Sequence, residues 1–356
     1  MNIMNIMKKK VLVIGPLSSG HIQNWLGHYE ENNVRIITCH KFLGDCNYDF
    51  RCSFFINQFI SFLLFPFYLL YQFLFFRPNI VHVHFLSSYG LLCCFLPVKK
   101  IISIWGTDFN GRMSKNRFLN RLYCFVLKRY DIINAPSTFI TDKLVSYGFE
   151  SKSILTLQYG VDIDFLSSFI SEIKHDEIIF SSIRNWDSLY QIEELIKVWE
   201  DIALPNYKLR IFGKSNNPKI IKKISQLVEN SSANIELVGF LKGSQFYKLL
   251  SESRAFISIP IMDGIPLSVL ECMALKLVPI LSDIPANHEI ACTLHNVFLD
   301  TPLNAQQLKD LILKIVLESD LDNVINVNHD YVCKNADIRV NRRKMFQCYN
   351  DLIKKV

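Results

Sequence analysis

Short Val/Ile-rich runs alternate along this chain with stretches of helical periodicity, and they do so in two series. In the first half "KVLVIG" (10–15), "VRIITC" (34–39), "NIVHVHF" (79–85), "KIISIWG" (100–106) and "DIINAPS" (131–137) are nearly continuous apolar runs. A strand that is apolar on both faces is covered on both faces, which is the habit of parallel sheets flanked by helices. Around 165–176 the pattern lapses into "SSFISEIKHD", a linker composition. It then resumes with "EIIFSSI" (177–183), "YKLRIFG" (207–213), "NIELVGF" (234–240), "AFISIP" (255–260) and "LVPILSD" (277–283). The pattern therefore predicts α/β architecture with two doubly wound domains, 1–168 and 169–334, and a cleft between them. A last helix, about 335–356, has no strand after it and is expected to cross back to the first domain. Ligands of such sheets bind at the carboxyl ends of the strands. The loops to search follow Gly15, Ile104, Ile183, Phe212, Val238 and Pro260.

With 356 residues, half of them apolar and a fifth charged, the chain has material for two full cores and is too apolar for disorder. The net charge of +6 matters by its placement. Between Phe109 and Tyr130 lie Arg112, Lys115, Arg117, Arg121, Lys128 and Arg129 with no acid, a charge equal to the whole excess. This segment is either a solvated helix face or a docking surface for phosphate or anionic lipid. No nucleic-acid partner is expected. Ten cysteines without a C-x-x-C pair or metal-ligand spacing read as reduced thiols in a cytoplasmic protein, and no secretory leader is expected before "VLVIG". His82 and His84 share one side of a strand and read as buried or site-lining residues, since no further ligands accompany them.

The segment 53–76, "SFFINQFISFLLFPFYLLYQFLFF", is long enough to cross a hydrocarbon core. Asn57, Gln58, Ser61, Pro66 and Gln72 interrupt it, and Arg77-Pro78 ends it directly before a strand. That is the ordinary helix-to-strand step of a doubly wound domain. The expectation is a helix packed on the sheet with an aromatic face left for a membrane surface, acting with the basic segment 112–129; the alternative is a single transmembrane span.

Three loops could carry chemistry. "GPLSSGH", from Gly15 through Gly20 to His21, can bring backbone N–H groups to a phosphate, or can be a plain turn. Arg184, just past the first strand of the second series, can clamp a diphosphate bidentately or form a surface ion pair. In "IMDGIPLSVLECMA", Asp263 precedes a helix that Pro266 can start, and Glu271 lies further into it. First-turn amides favour phosphate or a polar sugar edge. One carboxylate can accept from two ribose hydroxyls, yet spacing alone favours reading Glu271 as an ordinary exposed helix residue.

The pattern (D/E)-G-x-P-x-x-x-x-E over Asp263–Glu271, with "LECMA" and "VPILSDIPANHE" after it, resembles the signature of the family 4 retaining glycosyltransferases of GT-B fold. "SGHIQNW", "RPNIVHVH", "ISIWGTDF", "YDIINAPS", "LQYGVDIDF", "IRNWDSLYQIEELI" and "VGFL" follow the family's order, so the resemblance covers almost the whole chain. It implies two Rossmann-like domains facing a central cleft. It implies Asp263 at the donor sugar and Gly264, Ile265, Pro266 and Leu267 along sugar and phosphates. Glu271 would hold the ribose, Arg184 the diphosphate, and Gly239 and Phe240 the base. Gly15, Gly20 and His21 would approach from the other domain, with Asp108 retained from the "HG-x-D" loop. Two departures stand out. Trp105 replaces the usual histidine, and Leu189 and Tyr190 occupy the place of a usual lysine, leaving Lys214 as the candidate substitute.

The activity so implied is transfer of a sugar from a nucleoside-diphosphate sugar, a UDP-sugar by preference, to a saccharide or polyprenyl-linked acceptor with retained configuration. No metal or other cofactor is expected. Capsule, O-antigen or lipopolysaccharide assembly, at the inner face of the plasma membrane, is the setting the family suggests. A nucleotide-sugar epimerase on the same fold and a non-catalytic glycosyltransferase-like subunit are the rivals.

Overall fold

The computed structural model describes residues 9–17, 19, 22, 34–40, 49–52, 58–105, 109, 116–170, 178–290, 298–317 and 321–354. The chain forms two compact units: residues Met1–Gly160 with Ile338–Val356, and residues Val161–Asp337.

The first unit is built on a seven-stranded sheet. Its strands are β1 (Val11–Ile14), β2 (Val34–Thr38), β3 (Asp49–Cys52), β4 (Ile80–His84), β5 (Lys99–Ser103), β6 (Ile132–Ala135) and β7 (Ile154–Thr156), in the order β3-β2-β1-β4-β5-β6-β7. Every pairing is parallel. The order reverses between β1 and β4, which makes that the topological switch point. Helix α1 (Gln58–Phe76) packs Phe65, Leu69 and Phe76 into the core with Leu12, Ile14 and Ile37. Helix α2 (Arg117–Leu127) is started by Asn116, whose side chain accepts from the Phe118 amide, and buries Tyr123, Val126 and Leu127; α3 (Thr138–Ser146) is capped likewise by Ser137. α2 begins at Arg117; Arg112 and Lys115 lie outside the described residues, as do 53–57 ahead of α1. The last helix, α11 (Ile338–Lys354), belongs to this unit. Its Tyr349 hydroxyl meets His82 Nδ1 at 2.6 Å, while His82 Nε2 meets Ser103 Oγ at 2.8 Å. The imidazoles of His82 and His84 stack 4.3 Å apart, both fully buried. Burial holds His82 neutral, its pKa lowered to about 3.

The second unit has six parallel strands: β8 (Ile178–Ser182), β9 (Tyr207–Phe212), β10 (Ile235–Gly239), β11 (Ala255–Ser258), β12 (Val278–Ser282) and β13 (Phe298–Leu299), in the order β10-β9-β8-β11-β12-β13. Its switch point lies between β8 and β11. The covering helices include α5 (Ile192–Ile202), α6 (Pro218–Asn230), α7 (Gly243–Leu250) and α8 (Leu267–Ala274). α5 turns Leu195, Ile196, Trp199 and Ile202 inward at helical spacing. α6 has Pro218 at its first turn, capped by Asn217. Part of the stretch expected as a linker is instead helix α4 (Ile163–Ser167), because Ile163 and Leu166 are apolar enough to join this unit's core. Helices α9 (Ala305–Leu317) and α10 (Leu321–Asn335) complete the unit. The Val161 amide donates to Ala336 O at 2.8 Å, so the chain enters and leaves the unit side by side.

Candidate functional site

The two strands flanking the second unit's switch point end in the loops that hold the expected donor residues. Ser182 closes β8, and two residues on Arg184 is buried, only 6% exposed. A buried guanidinium needs partners, and it has three kinds. One Nη pairs with Asp263 Oδ2, and the other donates to Ser268 Oγ at 2.6 Å. Its plane stands 4.2 Å above the Tyr190 ring. Asp263 also accepts the Gly264 amide on Oδ1 at 2.8 Å. The surface ion pair that the sequence left open for Arg184 is thus replaced by a buried one, and Arg184 and Asp263 satisfy each other directly. Two further bonds lash the loops together: Gln191 Nε2 to Ile259 O at 2.7 Å, and the Ile261 amide to Leu189 O at 2.9 Å.

β9 supplies the next wall. Gly213 follows it with φ +120°, and a Cβ there would sit 2.2 Å from the Arg184 carbonyl oxygen. Only glycine allows this approach. Trp186 fills the gap beneath, donating from Nε1 to Phe212 O at 3.1 Å and from its amide to Lys214 O at 2.9 Å. The exposed Lys214 holds its ammonium 3.9 Å from the centre of the Phe240 ring. Gly239, in the left-handed region at φ +79°, turns the chain so that Phe240 follows β10 half-exposed. A cavity of about 400 Å³ opens beside this wall, lined by Asn185, Trp186, Asp187, Lys214, Ser215 and Asn217 among others.

α8 begins after Pro266, as expected, and the amides of Ile265, Leu267 and Ser268 have no acceptor among the described residues. Such first-turn donors are open to a polar ligand. Glu271, one helical turn past Leu267, is not the ordinary exposed residue that spacing allowed. It is half-buried and accepts from the Tyr247 hydroxyl on α7 at 2.9 Å. Burial pushes its pKa up to about 7, against the opposing effect of the Tyr247 bond. Near neutral pH the group is therefore poised between carboxylate and carboxylic acid.

Of the expected residues, Arg184, Lys214, Phe240, Asp263, Gly264, Ile265, Pro266, Leu267 and Glu271 lie on the second unit's loops or on α8, and Gly239 is the last residue of β10. Gly15 directly follows β1 in the first unit, where a Cβ would come within 2.7 Å of Ile22 Cδ1 and 2.8 Å of His84 Cβ. Close packing alone accounts for glycine there. Gly20, His21 and Asp108 lie outside the described residues. Trp105 follows β5 and meets Phe85 edge to face at 5.5 Å. Sequence reasoning missed Tyr190, Ser268 and Tyr247 as partners. Ser268 falls on an unspecified position of the motif, and Tyr247 lies 24 residues from Glu271.

"Glycosyl transferases group 1" matches residues 165–329, and "Glycosyltransferase Family 4" matches residues 29–165. The chain belongs to the family 4 type of glycosyltransferases. The two matches together span both units. No curated protein sequence matches the chain. Solved glycosyltransferases share the GT-B architecture of this one. A Rickettsia africae glycosyltransferase is 17% identical with a TM-score of 0.75, over 98% of this chain and 100% of that one. HepE of Anabaena, solved with UDP-glucose, is 11% identical with a TM-score of 0.77, over 96% and 100%. Sucrose-phosphate synthase from Thermosynechococcus elongatus is 13% identical with a TM-score of 0.79, over 98% and 100%.

Proposed function

We propose that this glycosyltransferase moves a sugar, with retention, from a UDP-sugar to a saccharide or polyprenyl-linked saccharide in cell-surface polysaccharide assembly. Capsule, O-antigen or lipopolysaccharide is the product class. The observation that carries the donor half is the buried Arg184–Asp263–Ser268 cluster at the switch point, with Glu271 one turn along α8. Arg184 takes the diphosphate, assisted by Lys214 and by the open amides of Ile265, Leu267 and Ser268. Glu271 takes the ribose hydroxyls, and Gly239 and Phe240 border the base. UDP is favoured by the likeness to HepE, which was solved with UDP-glucose.

The Arg184–Asp263 pairing suggests an order of events. Arg184 is bound to Asp263, so an arriving diphosphate competes with that carboxylate for the guanidinium. Asp263, displaced, becomes free to accept from sugar hydroxyls. Chemistry then follows as front-side displacement. The bond from the anomeric carbon to the phosphate oxygen breaks, the bond to the acceptor oxygen forms on the same face, and the departing phosphate takes the acceptor's proton. Charge gathers on the leaving diphosphate, where Arg184 and the amides are already placed. No protein nucleophile is needed, so Asp263 and Glu271 do not act as a glycosidase pair. In the first unit, the loop of Gly15, Gly20 and His21 is assigned to the diphosphate and Asp108 to catalysis, on the family resemblance alone.

The acceptor is placed at the inner face of a membrane, where the exposed apolar face of α1 and the basic residues of α2 support a peripheral location. A thermal-shift titration with UDP, GDP, ADP and CDP, beside Glu271→Ala, tests the donor half. At a hundred times its dissociation constant a ligand stabilises by about 2.7 kcal/mol. UDP should shift the wild type and lose its effect in Glu271→Ala; no shift with any nucleotide sinks the reading. Proton NMR of the transferred sugar then reads the anomeric configuration.

A further inference from the structure

Helix α1 inverts the usual arrangement of a surface helix. Its inward positions, Ser61, Phe65, Leu69, Gln72 and Phe76, are all buried, and two of them are polar. Gln72 Oε1 accepts from Arg35 Nη1 at 3.1 Å, so the polar groups face the protein. The outward stripe runs through Phe59, Leu63, Phe67, Leu70 and Leu74 at helical spacing, with Phe75 and the half-exposed Tyr71 beside it, Tyr71 adding one hydroxyl to an otherwise apolar face. Phe59, Phe67 and Phe75 are 75%, 74% and 68% exposed. Side chains of this size at such exposures present on the order of 1,000 Å² of apolar surface, where a water-facing protein tolerates a few hundred.

By length and composition the stretch Phe59–Phe76 could cross a bilayer. Its place in the fold argues against that. Phe65, Leu69 and Phe76 belong to the core over the sheet, and Arg35 is tied to Gln72. Crossing would strip all of these away. The end of the helix indicates what covers the stripe instead. A groove of about 780 Å³ lies there, lined among the described residues by Lys10, Phe73, Leu74, Phe75, Arg77, Pro78, Pro97 and Val98, two cations and no acid among them. Lys10 and Arg35 both approach the ring of Phe76, an inward residue, at 5.5 and 4.7 Å, which keeps two cations at this end of the helix. The same combination recurs at α2. Arg129 stands 4.9 Å over Phe125 and 5.4 Å over Phe95, both exposed, and Arg117 and Arg121 flank the exposed Phe118. An apolar stripe that runs into a cationic groove matches a surface that is apolar within and anionic at its rim.

We propose that α1 lies in the plane of an anionic membrane, its stripe sunk among the acyl chains and the Lys10–Arg77 groove filled by a lipid headgroup phosphate. The polar face that an interfacial helix needs is here supplied by the rest of the first unit. The proposal deepens the membrane-borne acceptor reading and rests on it only for its purpose, since the lipid contact is read without any transfer.

Sedimentation of the full chain with phosphatidylcholine vesicles, with and without phosphatidylglycerol, tests it. Wild type should bind the anionic vesicles far more strongly. Phe67→Glu with Leu74→Glu should lower binding to both vesicle types at least tenfold. Lys10→Gln with Arg77→Gln should remove roughly 30-fold of the anionic preference, at about fivefold per basic group near a charged surface. UDP-induced thermal shifts of both variants should equal wild type, which shows that the fold survives. Four results would overturn the proposal: no wild-type binding to anionic vesicles, both variants binding as wild type does, release from membranes only by detergent and not by alkaline carbonate, or a lipid-free dimer that the stripe variant dissociates. A missing UDP shift in all three proteins with vesicle binding intact would remove the donor reading and leave this one standing.

Discussion

Replacing Glu271 by Gln should stabilise the protein at pH 8 while weakening its hold on nucleotide. In the fold the Glu271 carboxyl has its pKa raised from 4.5 to about 7 by burial. Between those values the folded state binds the proton more tightly than the unfolded state does. Stability therefore falls as pH rises from about 4.5 to about 7, and the loss is complete above that. The full shift corresponds to about 3 kcal/mol. Gln is uncharged, nearly isosteric, and its amide oxygen can still accept from the Tyr247 hydroxyl that lies 2.9 Å from Glu271 Oε1. The variant should thus match wild type near pH 4.5 and exceed it by up to about 3 kcal/mol at pH 8. For a unit of this size that is on the order of 6–12 °C in Tm. The assay is calorimetry of both proteins from pH 5 to 8, with and without UDP. The ligand-free gap should widen with pH, and UDP should close it by stabilising only the wild type. A gap that stays flat across pH, or a variant less stable at pH 8, would refute the claim that Glu271 is held at a cost for binding.

Three further outcomes are expected. Asp263→Asn removes the carboxylate that occupies Arg184, so UDP should bind several-fold more tightly by calorimetric titration while transfer from the UDP-sugar falls at least tenfold; unchanged UDP affinity would deny the competition. Gly213→Ala forces a Cβ against the Arg184 carbonyl at a strained φ, and should cost about 2–4 kcal/mol of stability in denaturant melts and abolish the UDP shift. Tyr349→Phe deletes the hydroxyl beside His82 Nδ1 and should cost about 1–3 kcal/mol in Tm measurements, with the UDP shift intact because the bond lies wholly in the first unit.

Continuous apolar runs and helical periodicity are local properties, so the chain's alternation by itself determined two parallel α/β units and the spans of most strands. The Asp263–Glu271 motif likewise determined the family and pointed to the loops after β8 and β11. Placing Pro266 ahead of α8 needed only the restricted φ of proline. What the alternation left open is who meets whom. Arg184 finds Asp263 and Ser268 across 79 and 84 positions because the strand order brings β8 beside β11. Tyr190, read from the sequence only as a missing lysine, becomes the ring under that guanidinium. Glu271 could have been an exposed helix residue until α7 set Tyr247 against it and half-buried it. The sequence of α1 shows a long apolar helix. Only its packing on the sheet decided that Ser61 and Gln72 turn inward and the phenylalanines outward, since the face a helix buries is set by the partner that covers it.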